Sequence, residues 1–379
     1  MSIKLSDLFS IFPIQKIIVK YLTAEDLKKL SSLGGEYEDF YFEFNRELEL
    51  DQYNDVIHSK FKRIEKLTLK QVNHEVVSKE TLSVLLALNV PTIDKEKINL
   101  RECTRLQTLT CRKFLVSIDS EDFPISLKKI ILLSPMDIVP RTHRTINFNF
   151  SHLISLKEID CNESSITDEA INNFPESLEK ISLYCCKNIS SFNIHHLVNL
   201  KEIDCNASSI TNVAINNFPE SLEKISLCCC TTISSFNIHH LVNLKEIDCY
   251  RSSITDEAIN NFPESLEKIS LCCCSSISSF NIHHLVNLKE LDCNTSSITD
   301  VAINNFPESL EKISFYCCTT ISSFNIHHLV NLKEINCSRS SITDVAINNF
   351  PESLEKISLC CCYNISSFNI DHLVNVKKI

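Results

Sequence analysis

Runs of cysteine and pairs of histidine are the residues of this chain whose types and spacing could do chemistry. Cys228, Cys229 and Cys230 are consecutive, and the pairs His195-His196, His239-His240, His283-His284 and His327-His328 recur at a fixed interval. Thiolates and imidazoles at short spacing are zinc ligands, and imidazole is the commonest general base. The spacing argues against both uses. Adjacent strand residues point to opposite faces, and like groups return only every 44 residues, two strands or about 10 Å apart, beyond the reach of one tetrahedral site. No carboxylate recurs beside the histidines to orient them, no motif supplies a nucleophile, and the fifth pair is Asp371-His372. The cysteines are therefore read as reduced, small packing groups and the histidines as a solvated column of turn residues. No catalytic residue, metal ligand or cofactor is assigned.

The elements that carry these residues follow from a repeat. The 44-residue unit beginning at Leu156 returns at Leu200, Leu244, Leu288 and Leu332 without insertion or deletion. Inside each unit the pattern of apolar residues at positions 1, 4 and 6 recurs after 22 residues, at Leu178, Leu222, Leu266, Leu310 and Leu354. A period in this range means a solenoid, in which each unit buries its apolar side only against its neighbours. Ile159 and Cys161 flank Asp160 as in a half-buried strand. In odd turns Thr167 or Asp168 caps a short helix that buries Ala170, Ile171 and Phe174, and Pro175 stops it. Even turns return through Phe192, Ile194 and Leu197, a segment too short and β-branched for a confident helix. Upstream, the same template fits at Leu127, Leu106, Leu85 and Ile64, and an irregular loop holding Pro135, Pro140 and Arg141 separates Leu127 from Leu156.

Composition narrows the function. The net charge of −11, with no run of Lys or Arg, disfavours nucleic acid as a partner. Lys4, Asp7, Lys16 and Lys20 interrupt the N-terminal apolar stretch, so neither a signal peptide nor a membrane span is expected there, and the chain is read as intracellular and cytoplasmic, the nucleus not being excluded. The only glycines are Gly34 and Gly35. Phosphate-cradling loops, dinucleotide fingerprints and nucleophile elbows need glycine where the backbone approaches a ligand or takes positive φ, so none of them is expected in the 344 residues that follow. The chain is read as a non-enzyme.

Leu178, Ile181, Leu183, Cys186 and Ile189, together with the segment Ile166 to Ile171, resemble the leucine-rich repeat, close to its cysteine-containing variety. The resemblance implies an α/β solenoid, a leucine-rich-repeat horseshoe with parallel concave strands, preceded by a small helical N-terminal segment. The family's ninth-position asparagine is Ser164 in odd turns and Cys186 in even ones, groups that donate fewer hydrogen bonds. Residues 12–33 resemble an F-box through Phe12, Pro13, Tyr21, Leu22, Asp26, Leu27 and Leu30. An F-box before leucine-rich repeats is the order of F-box/LRR receptors of Skp1-cullin ubiquitin ligases, which implies Skp1-type docking through Pro13, Ile17, Tyr21, Leu22, Leu27 and Leu30. The alternative is a scaffold in which these helices only cap the solenoid. Near-identical tandem units rich in Asn, Ile and Ser also resemble proteins of amoebae and their giant DNA viruses, in which case the cytoplasm would be a host's. The expected organisation is 1–50 F-box-like or cap, 64–155 degenerate repeats and 156–379 regular repeats.

The copies differ most just after the strand. Asn162-Glu163, Asn206-Ala207, Tyr250-Arg251, Asn294-Thr295 and Ser338-Arg339 occupy one such position, with Tyr184, Tyr316 and Tyr363 nearby in even turns. Aromatic and arginine residues are the types that dominate interface energy. Tyr184, Tyr250, Arg251, Tyr316, Arg339 and Tyr363 are the expected partner-binding set, with drift after recent duplication as the competing explanation.

Overall fold

The structure, a computed structural model, describes residues 23–32, 42, 45–54, 58–61, 63–72, 75–114, 118–133, 146–367 and 370–377. The chain forms two compact units, Met1–Pro135 and Met136–Ile379.

In the first unit, helix α1 (Ala24–Ser31) starts at a capping box: the Thr23 hydroxyl accepts the Asp26 N–H, and the Asp26 carboxylate accepts the Thr23 N–H. Strands β1 (Glu47–Leu50), β2 (Lys66–Leu69), β3 (Ala87–Ile93), β4 (Thr108–Phe114) and β5 (Lys129–Leu132) pair in parallel, and helix α2 (Lys79–Val84) lies between β2 and β3 in sequence. Their register aligns Leu48, Leu67, Leu88, Leu109 and Ile130 in one buried column. The ladder thus begins one turn before Ile64, where the template first fits. Asn45 hides this turn, because it fills position 1. It is buried, and it satisfies its amide by donating to the Glu47 carbonyl and accepting the Glu47 N–H.

In the second unit one strand appears per 22 residues, from β6 (Glu158–Asp160) and β7 (Lys180–Ser182) to β14 (Glu334–Asn336) and β15 (Lys356–Ser358), all parallel and in register. The central residues, Ile159, Ile181, Ile203 and their equivalents, are buried. Odd turns return through a helix of four or five residues, such as Asp168–Asn172, where Thr167 accepts the Ala170 N–H at 3.4 Å. Even turns return without helix. Phe192 stacks on Phe218 at 6.3 Å, Phe236 on Phe262 at 6.3 Å and Phe280 on Phe306 at 6.2 Å, so a run of rings fills the side opposite the strands. Burying each such ring contributes about 1.5–3 kcal/mol.

The turn after each strand takes positive φ without glycine. Glu163, Cys185, Ala207, Cys229, Arg251, Cys273, Thr295, Cys317, Arg339 and Cys361 all sit at position 8 with φ between 51° and 60°. The left-handed conformation is held by neighbours instead of by glycine. The N–H of each of the first nine donates to the position-7 carbonyl of the next turn, as Glu163 does to Tyr184 and Arg339 to Cys360.

Candidate binding ridge

The exposed strand face is built from paired charges. Positions 2 and 3 alternate Lys and Glu from turn to turn in opposite phase, so every charge has an opposite one on the adjacent strand. Nine pairs, from Lys157–Glu179 to Lys377–Glu355, close at 2.6–3.6 Å. Each is about half exposed and contributes at most about 1 kcal/mol. Their larger effect is to leave this face nearly neutral and to penalise slipped register. Sequence reasoning passed over this ladder, although the alternation of LKE and LEK would have revealed it.

Position 5 carries Asp160, Asp204, Asp248, Asp292 and Asn336 in odd turns, and each accepts the position-7 N–H of its own turn at 2.8–3.0 Å. Burial pushes the Asp204 and Asp292 carboxyls above the ordinary aspartate range. A carboxyl raised in the folded state binds its proton more tightly there than in the unfolded chain, so its charged form opposes folding at neutral pH. That opposition fades as pH falls through the folded pKa. Asp204→Asn combined with Asp292→Asn is therefore expected to raise the thermal midpoint at pH 7 and to lose its advantage below about pH 4. Asn336 already makes the same hydrogen bond without charge. A double variant that melts no higher than wild type at pH 7 would contradict this account.

Positions 7 and 8 form the ridge at the strand exits. Here the variable residues divide into two kinds. Asn162, Asn206 and Asn294 turn their amide oxygens to the N–H groups of Tyr184, Cys228 and Tyr316, at 2.6–2.8 Å, and so tie turns together. Tyr184 and Tyr250 instead expose their rings, with 41% and 36% accessibility, Tyr363 at position 10 of its turn does so with 90%, and Arg251 and Arg339 are exposed at position 8. Tyr316 is half-buried, with the Arg339 guanidinium 5.8 Å from its ring centroid.

The cysteines separate by position. Cys161, Cys205, Cys249, Cys293 and Cys337 are buried at position 6. The Cys186, Cys230, Cys274, Cys318 and Cys362 thiols donate to those five carbonyls at 2.9–3.1 Å. This column occupies the place of the asparagine ladder. Burial pushes the Cys186 and Cys230 thiols up to about 11 and Cys205 and Cys249 well above the usual range, which suppresses their reactivity. The cysteines are not all core groups: Cys229 and Cys361 at position 8 and Cys360 at position 7 are exposed, and the Cys360 and Cys361 sulfurs lie 3.3 Å apart. All twenty are free thiols.

The histidine column also divides. His195, His239, His283 and His327 are exposed, whereas the ring Nε2 of His196, His240, His284 and His328 donates to the carbonyl of Phe174, Phe218, Phe262 and Phe306 at 2.9–3.0 Å. The second histidine of each pair is a tie between turns. Sequence could not show this, since the acceptor is a backbone carbonyl 22 residues away. Among the described residues no three His, Cys, Asp or Glu side chains gather as metal ligands would. Of the N-terminal residues, Leu27 is buried at 3% exposure and Leu30 half-buried, while Pro13, Ile17, Tyr21 and Leu22 lie outside the described residues.

No protein-family model matches the chain, and neither does any curated protein. Solved structures do. An LRR protein of Leptospira interrogans superposes with a TM-score of 0.55 at 21% identity, over 87% of this chain and 80% of its own. The fold is a leucine-rich-repeat solenoid. The functional domain of InlJ from Listeria monocytogenes, which includes a cysteine ladder, gives 0.50 at 15% identity over 94% of this chain and 69% of its own. A chain of the Drosophila Toll–Spatzle complex gives 0.63 at 16% identity over 88% of this chain and 48% of its own. At these identities the likeness concerns the fold of the solenoid alone.

Proposed function

We propose that the chain is a non-enzymatic leucine-rich-repeat scaffold that captures a protein partner on the strand-exit ridge, through Tyr184, Tyr250, Arg251, Tyr316, Arg339 and Tyr363. The observation that carries this reading is the exposure of aromatic rings and guanidinium groups at the positions where the copied units differ most. The charges of the neighbouring strand face are already paired with one another, so selectivity falls to the ridge. The Drosophila neighbour is seen in complex with Spatzle, which supports a protein as the occupant. Tyr250→Ala with Arg251→Ala and Arg339→Ala is expected to weaken the partner at least tenfold, about 1.4 kcal/mol, with the thermal midpoint nearly unchanged. Equal weakening by replacing the exposed His195, His239 and His283 would place the site on another face.

The resemblance of residues 12–33 to an F-box adds a finer reading, docking of a Skp1-type subunit of a ubiquitin ligase. Burial of Leu27 favours the alternative, in which the first helices cover the solenoid. Titrating the full chain with a Skp1-type protein decides between them. Binding at micromolar concentration that is lost in Ile17→Asp with Leu22→Asp supports docking, and no binding leaves the cap.

A further inference from the structure

An open cleft of about 530 Å³ lies at the strand exits of the three turns that begin at Leu310, Leu332 and Leu354, lined in part by Thr319, Arg339, Ser341, Tyr363 and Asn364. We propose that this cleft binds an oxyanion, a phosphate monoester or a carboxylate carried on a peptide of the partner. The inference rests on the ridge being the binding surface and names the chemistry of one subsite within it.

Charge is the first ground. The chain is acidic overall, yet none of the residues lining the cleft is a carboxylate. The position-5 column that supplies Asp160, Asp204, Asp248 and Asp292 ends there in neutral Asn336. Arg339 therefore belongs to a turn whose position 5 is neutral, whereas Arg251 belongs to the turn of Asp248, and the Glu334 carboxylate on the strand of the Arg339 turn is paired with Lys356 at 3.2 Å. The contact seen for the Arg339 guanidinium is the face of the Tyr316 ring, 5.8 Å away. A ring face steadies the cation and leaves its N–H groups free for a bidentate acceptor.

The second ground is the supply of donors. The Ser340 hydroxyl is already used, donating to the Cys337 carbonyl at 2.6 Å. The Thr319 and Tyr363 side chains are exposed, and Tyr363 is 90% accessible. The Asn364 amide is fixed by donating to the Ser341 carbonyl at 3.1 Å, which leaves its second N–H available. One guanidinium with hydroxyl and amide donors around it is a set that pairs with the several lone pairs of an oxyanion. With Arg339 present and no carboxylate in the lining, the cleft's charge disfavours a cation.

The test measures binding of three short peptides to the full chain by calorimetry at low salt, with serine, phosphoserine or glutamate at the centre of an alanine background. The phosphoserine or the glutamate peptide is expected to bind and the serine peptide not to, and whichever binds tighter identifies the source of the oxyanion. Arg339→Gln should weaken that binding at least tenfold while Arg251→Gln leaves it within twofold, both variants melting as wild type. Failure of both anionic peptides to bind, or equal loss in the two arginine variants, overturns the subsite. Retention of a protein partner by a chain that binds neither peptide would refute this inference while leaving the ridge reading intact. Peptide binding without any ridge-dependent partner would do the reverse.

Discussion

Replacing Phe262 by alanine is expected to lower the stability of the second unit by about 3–5 kcal/mol, the cost of removing a large ring from a closed core. The side chain is fully buried and lies 6.3 Å from the ring of Phe236, one turn upstream. Its backbone carbonyl accepts the His284 side chain at 2.9 Å, one turn downstream, so the residue couples three successive turns. A solenoid holds together only through such nearest-neighbour terms, so a cavity at one turn weakens the link between the turns on either side. Urea unfolding of the variant should therefore show a lower midpoint and a broadened or divided transition, since repeats on the two sides can then unfold apart. Val286→Ala is the companion measurement, because Val286 is 59% exposed and its loss should leave the curve nearly unchanged. A cost below about 1 kcal/mol for Phe262→Ala would mean that the stacked rings are not what joins the turns.

Much of this architecture can be read from the chain because 22-residue copying makes each position its own control. Apolar residues at positions 1, 4 and 6 locate every strand of the second unit, and Thr167 followed by Ala170 and Ile171 locates the short helices. Three features resisted the same reading for separate physical reasons. The turn at Glu47–Leu50 was invisible because a buried asparagine replaces the leucine of the template, and an amide is accepted in the core only when local backbone groups satisfy it, as Glu47 does. The variable positions looked alike as letters, yet Asn162 and Asn206 bond to the following turn whereas Tyr250 faces solvent. The second histidines looked solvated because their acceptors are main-chain atoms with no side-chain signature. In each case the sequence records which group is present but not which backbone atom lies opposite it, and that depends on register between turns.

The left-handed turns built without glycine lead to the second large expected effect. A left-handed backbone costs an L-residue about 1–2 kcal/mol, because Cβ crowds the following carbonyl. Among the described residues ten other than glycine adopt it, five of them cysteines at the same place in successive even turns: Cys185, Cys229, Cys273, Cys317 and Cys361. Changing all five to glycine removes that crowding. The greater freedom of glycine in the unfolded chain takes back about 0.5–1 kcal/mol per site, which leaves a gain of roughly 0.5–1 kcal/mol at each and about 2.5–5 kcal/mol for the set if separate turns add. The hydrogen bonds that hold the first four turns run from backbone N–H groups, such as Cys185 to Asn206 at 2.8 Å and Cys229 to Tyr250 at 2.7 Å, so they survive the change. Changing the same five to alanine separates this effect from loss of the thiols, because alanine keeps Cβ and should give no comparable gain. Cys230→Gly tests the position itself: that thiol is buried and donates to the Cys205 carbonyl at 3.1 Å, so glycine there should destabilise. A fivefold glycine variant with the urea midpoint of wild type would show that the neighbouring turns, through their hydrogen bonds to position 8, already offset the strain that the missing glycines leave in place.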